Sequence, residues 1–145
     1  MKLFVSEIID QLGTIDSFEK RVEHLKSNTS KCLRTILKYA FDSSLSPDVK
    51  ELPEYKADDV PIDFAYNDLH SVYSRLYLFF DKSVSKDSKR NHLLLGILES
   101  LPKEEAEVFA GAATQSLKKK YLTEFLVRKA FPRLLSEEPN GKVSN

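Results

Sequence analysis

The sequence predicts an all-α fold, a single domain of about seven short helices with one long irregular acidic loop. Apolar residues recur with a helical period along almost the whole chain, and no stretch alternates apolar and polar residues as a half-buried strand does. Helix-starting residues also stand where such starts are needed: Ser17, Ser30, Pro102 and Thr123. A length of 145 residues suits one core, and 41% hydrophobic with 30% charged residues is the balance of a globular chain, which excludes a disordered one.

The elements follow in order. Leu3, Phe4, Ile8, Ile9 and Leu12 form the stripe of a first helix that Gly13 stops. Asp16 or Ser17 caps a second helix reaching about Lys26, with Phe18, Val22 and Leu25 inward. Thr29 or Ser30 caps a third, in which Leu33, Ile36, Leu37 and Ala40 or Phe41 repeat at helical spacing. From Asp42 to Pro61 the period is lost among Pro47, Pro53, Pro61 and many acids. The segment reads as an extended loop pinned through Leu45, Val49, Leu52 and Tyr55. Leu69, Val72, Tyr73, Leu76, Phe79 and Phe80 mark a fourth helix, read as the central one.

Ser85 caps a fifth helix running through Leu98, with Leu93, Leu94, Leu95, Ile97 and Leu98 supplying its apolar side. Pro102 opens a sixth, and Glu104 and Glu105 complement its dipole. Thr123 starts a seventh that Pro132 ends, with Phe125, Leu126 and Ala130 toward the core. The helical domain is thus expected over residues 1–135 and a disordered tail over 136–145.

Several function classes find no support. No apolar run approaches the roughly 20 residues of a membrane span, and the amino-terminal stretch carries Glu7 and Asp10 without the pattern of a signal peptide. Cys32 stands alone, which fits a reducing compartment. His24, His70 and His92 have no second ligand at helical spacing, so metal or acid–base work is not expected of them. Glu104, Glu105 and Glu107 read as an acidic first turn explained by helix capping and solvation, and the scattered glycines form no phosphate-binding loop. Neither a cofactor, a metal nor an enzymatic activity is expected.

Charge is the informative property. The chain is neutral overall, yet residues 118–135 carry six cations (Lys118, Lys119, Lys120, Arg128, Lys129 and Arg133) against the single carboxylate of Glu124. Residues 17–38 add six cations against two acids, whereas residues 42–68 hold eight acids and two lysines. A basic cluster in a neutral protein suits an anionic partner. Lys118–Lys120 directly precede the Thr123 cap, where free N–H groups and the helix dipole favour a phosphate.

Glu7-Ile8-Ile9, a helix ending near Asn28, the Leu33–Phe41 helix, an irregular proline-bearing segment and the closing Phe131-Pro132-Arg133-Leu134-Leu135 occur in an order that resembles a known domain. It is the all-helical amino-terminal DNA-binding domain of phage-type ATP-dependent DNA ligases. From about Phe4 to Leu135 the chain also resembles a family of small tailed-phage proteins, cyanophage proteins particularly, through Leu33–Lys38, Leu98–Leu101 and Ala130–Leu135. The ligase resemblance implies contact with the sugar-phosphate backbone through loops and helix ends. The turn before the last helix departs from that pattern, since Leu117 and three lysines replace the small residues of ligases. Lys56-Ala57-Asp58-Asp59 falls short of the ligase adenylation motif because Asp59 stands where glycine is required, and no nucleotide-binding sheet follows.

These readings combine into one expectation: a non-catalytic phage accessory protein in the cytoplasm of an infected host cell. It would bind duplex DNA irrespective of sequence through Lys118, Lys119, Lys120, Arg128, Lys129 and Arg133, assisted by Lys31, Arg34 and Lys38. The alternative is a protein–protein adaptor or inhibitor acting on a host or phage protein through the acidic loop or the aromatic stripe. No membrane partner is expected.

Overall fold

Ser17 and Ser30 each place a side-chain oxygen at a helix start, accepting from Lys20 N at 3.1 Å and Leu33 N at 3.1 Å. These caps begin α2 (Phe18–Ser27) and α3 (Lys31–Phe41). The computed structural model describes residues 3–49, 51–65, 67–81 and 87–136. Within them the other helices are α1 (Val5–Gln11), α4 (Leu69–Val72), α5 (Asp87–Glu99), α6 (Lys103–Thr114) and α7 (Glu124–Ala130). Three 3₁₀ segments, Leu12–Thr14, Ile62–Phe64 and Tyr73–Phe79, complete the regular structure. Among the described residues no strand forms, only isolated bridges such as Pro47 with Phe80 and Asp58 with Pro102. The all-α expectation holds. The expected Ser85 cap and residues 137–145 of the expected tail lie outside the described residues, while Ser136 is tied to the domain by a bond from its N–H to Asp42.

The centre of the fold is α6, not the aromatic stretch around Leu76. Its residues Ala106, Val108, Phe109, Ala110, Gly111, Ala112 and Ala113 are all buried, and α1, α3, α5 and the Tyr73–Phe79 segment pack around it. Small side chains explain this placement, because they let neighbouring backbones come close on several sides at once. A search for large apolar residues undervalues such a helix.

The expected fourth helix is only one α turn, continued as a seven-residue 3₁₀ helix. Tyr73, Leu76 and Phe79 are spaced by three, and a 3₁₀ helix aligns residues i and i+3 on one edge. Leu76 and Phe79 are fully buried along that edge, whereas Tyr77 points outward. The acidic loop is held by backbone as well as side chains: Asp48 N donates to Phe79 O, Asp81 N to Ser46 O and Asp58 N to Leu101 O. Val49 is buried and Leu45 and Tyr55 pack on the core, but Leu52 is exposed rather than part of the core.

Glu105 is not solvated, as the acids of this first turn are expected to be, and its capping serves other helices than its own. Its side chain is fully buried, and its carboxylate accepts from Ser6 N at 2.9 Å and Leu69 N at 2.8 Å. These donors belong to the first turns of α1 and α4, so one side chain caps two other helices while sitting in the first turn of its own. Glu104 and Glu107 remain exposed as expected.

Candidate nucleic-acid interface

The three lysines are carried by a tight turn whose position is set by α6. Gln115 ends that helix in the left-handed conformation (φ 53°), and its side-chain amide donates to Tyr39 O at 3.1 Å and Asp42 O at 2.8 Å. Ser116 N returns to Gly111 O at 2.9 Å, and Leu117 then lies directly over Gly111. A Cβ at Gly111 would stand 2.8 Å from Leu117 Cα, a backbone atom, so the close approach requires glycine. Gly111→Ala is expected to cost about 1–3 kcal/mol through overpacking. The urea midpoint measures it, and a loss below about 0.5 kcal/mol, ordinary for surface sites, would mean the turn is not seated this way.

Beyond Leu117, the backbone reverses as Leu122 N bonds Lys119 O at 3.0 Å. Lys118 and Lys120 are exposed, while Lys119 Nζ lies 3.4 Å from Glu107 Oε1. Tyr121 occupies the left-handed region with φ 66°, a position that a bulky side chain rarely takes. Leu122 is buried, and Thr123 caps α7 by accepting from Leu126 N at 3.1 Å. At seven residues, α7 has too small a dipole to hold an anion by its end alone. The lysine side chains must carry any such contact.

On α7, Leu126, Val127 and Ala130 face inward and Phe125 does not. The expectation that Phe125 is a core residue is wrong: it is 62% exposed. Leu122, Leu126, Val127 and Ala130 already fill the inward arc of this short helix, which leaves Phe125 at its edge. There it stacks on Phe18 of α2, with ring centroids 5.3 Å apart and planes at 26°. Lys129 Nζ is 5.5 Å from the Phe125 centroid.

The packing of α2 against α7 also brings in Arg21, whose Cζ lies 3.5 Å from the Tyr121 ring centroid, with Lys120 Nζ at 5.4 Å. Arg21 lies in the basic stretch of residues 17–38, where nothing in the sequence separates it from its charged neighbours. Only the tertiary packing of two helices distant in sequence reveals it.

The other basic residues expected at the site divide into two groups. Arg34 and Arg133 line a shallow, mainly apolar cleft of about 450 Å³ with Phe131, Pro132 and Leu134, and Lys31 is exposed one turn before Arg34. Arg34 also donates to Thr29 Oγ1 at 2.6 Å. Lys38 and Arg128 serve the fold. Lys38 Nζ bonds Asp42 Oδ2 at 2.9 Å and Leu134 O at 3.2 Å, and Arg128 bonds Glu124 at 2.8 Å and Ser136 O at 2.9 Å.

Asp42 is the hub of that second arrangement. It also accepts from Ser44 N at 3.0 Å, Ser44 Oγ at 2.7 Å and Ser136 N at 3.1 Å, which fastens the end of the described chain to the end of α3. Burial opposes its ionisation, but the bonds from Lys38, Ser44 and Ser136 outweigh burial and hold its carboxyl well below the usual carboxylate range. A depressed folded-state pKa contributes stability above the unfolded value of about 3.9, and that stability disappears as pH falls below it. The stability gap between the wild type and Asp42→Asn should therefore be full near neutrality and close progressively as pH falls below about 4. Urea midpoints across that range check it, and a gap independent of pH would show that Asp42 is not the group responsible.

Among the described residues no helix is long and apolar enough to cross a membrane, and no group of three or more His, Cys, Asp or Glu is placed to hold a metal ion. The chain belongs to DUF6433, a family of unknown function, which matches residues 8–119. No curated protein matches it.

Proposed function

We propose that this DUF6433 protein is a non-catalytic phage accessory protein that binds duplex DNA without reading its sequence, in the cytoplasm of an infected host cell. The observation that supports binding is the gathering of Lys120, Arg21 and Lys129 along the α2–α7 side of a chain with no net charge, with Lys118 exposed on the turn that leads into it. Cations on a turn and on helix surfaces suit phosphate oxygens, whereas base-edge reading needs a helix presenting Asn, Gln and Arg together. Arg34 and Arg133 provide a second positive point. The phage setting rests on the resemblances of Leu33–Lys38, Leu98–Leu101 and Ala130–Leu135.

The test is a titration of labelled duplexes of unrelated sequence at about 50 and 200 mM salt. About four phosphate contacts give a log–log slope near −3.6, and so roughly a hundredfold weakening over that interval. All duplexes should respond alike. Failure to bind at the lower salt overturns the proposal.

One observation favours the adaptor reading instead. In the acidic segment 42–68 Leu52, Val60 and Phe64 are exposed, Phe64 by 77%, beside Glu51, Glu54, Asp59 and Asp63. An apolar residue flanked by acids suits a basic protein surface. That reading predicts no duplex binding and the loss of a specific protein partner on Phe64→Ser.

A further inference from the structure

Phosphate contact uses the cations of the α2–α7 side and leaves its aromatic rings unexplained. Phe125 is 62% exposed and Tyr121 43% exposed, each with cations at its ring. Tyr121 moreover holds a left-handed backbone position where glycine would be unstrained. A bulky side chain kept at such a position, and turned outward, contributes little to the core that would offset its strain.

We infer that this strip stacks unpaired nucleobases, and that the preferred ligand is DNA carrying a single-stranded segment next to duplex. The inference rests on the DNA reading proposed above and names the form of DNA. A single strand carries a flat apolar face beside each phosphate, and this side sets cations against its rings. Arg21 covers one face of Tyr121, Lys120 lies near that ring and Lys129 near Phe125, so the exposed part of each ring is what a base would meet. Intact duplex offers no free base faces except at its ends, so it can engage the lysines and not the rings. Phe18 supports Phe125 from one side, which leaves the exposed part of that ring as a firm platform. Stacking on aromatic side chains tolerates any base, in keeping with binding that does not read sequence.

The experiment compares three labelled probes at about 50 mM salt. One is a blunt duplex, one the same duplex with a thymidine tail of about 8 nucleotides, and one the same tail made of abasic residues. The abasic tail keeps the phosphates and removes the bases. The thymidine tail should bind more tightly than the abasic tail by about tenfold for each base stacked. Phe125→Ala should reduce that ratio while leaving blunt-duplex affinity unchanged. Tyr121→Gly, which also releases the left-handed strain, should reduce the ratio with cooperative thermal unfolding retained. Equal binding of the two tails overturns the inference and leaves the duplex reading standing, as does a ratio that both variants preserve. Failure of all three probes overturns both readings, whereas binding of the thymidine tail alone supports base stacking and overturns the duplex reading.

Discussion

Replacing Glu105 by alanine is expected to cost about 3–5 kcal/mol of folding stability. The side chain is fully buried, and its two oxygens accept one backbone N–H each, Ser6 at 2.9 Å and Leu69 at 2.8 Å. Alanine leaves both donors in the interior without their partner, at about 1–3 kcal/mol each. It also removes the group on which the first turns of α1, α4 and α6 converge. Glu105→Gln keeps one acceptor oxygen and replaces the other by a donor that faces an N–H. It should fall between the wild type and alanine.

Urea denaturation measures the series, because the midpoint falls with stability while the slope stays constant if the fold is retained. A loss under about 1 kcal/mol for Glu105→Ala would show that solvent reaches these N–H groups and that the carboxylate is dispensable. A loss for glutamine as large as for alanine would show that a single acceptor oxygen does not hold the two turns and that both must be present together.

The helices were legible in the sequence because local physics defines them. Ser17, Ser30 and Thr123 cap where their side chains can reach an N–H three residues on, and all three do. Long-range terms decide what was not legible. Glu105 looks like any first-turn acid until α1 and α4 are brought over it, from residues 99 and 36 positions away. Phe125 fits an apolar stripe, but a two-turn helix can bury only one side, and Leu126, Val127 and Ala130 claim it. The 3₁₀ segment escaped because an apolar spacing of three is compatible with either helix type until packing selects one. At the candidate site the lysine cluster was visible as composition, whereas the partnership of Arg21 with Tyr121 exists only in three dimensions. The same distinction removes Lys38 and Arg128 from the free charge, since Asp42, Glu124 and the backbone of residues 134 and 136 engage them.

Reversing the charge of Lys118, Lys119 and Lys120 together, as glutamates, is expected to weaken duplex binding by at least about a hundredfold at 50 mM salt. Removing one phosphate interaction flattens the log–log salt dependence by roughly 0.9, so removing the two that Lys118 and Lys120 make should take about 1.8 from the slope. The weakening should be alike for unrelated sequences, because phosphates carry no base identity. Stability should change little: Lys118 and Lys120 are exposed, and the pair between Lys119 and Glu107 at 3.4 Å is an open surface pair. A glutamate at 119 does face Glu107, so Lys119→Gln in the same triple variant separates local repulsion from the missing attraction to DNA. If both triple variants fold with unchanged urea midpoints and bind poorly with shallow slopes, the turn carries the phosphate interactions. If affinity and slope are retained, the cations of α2 and of the Arg34–Arg133 cleft bind the duplex instead, and the turn is a solvated basic surface.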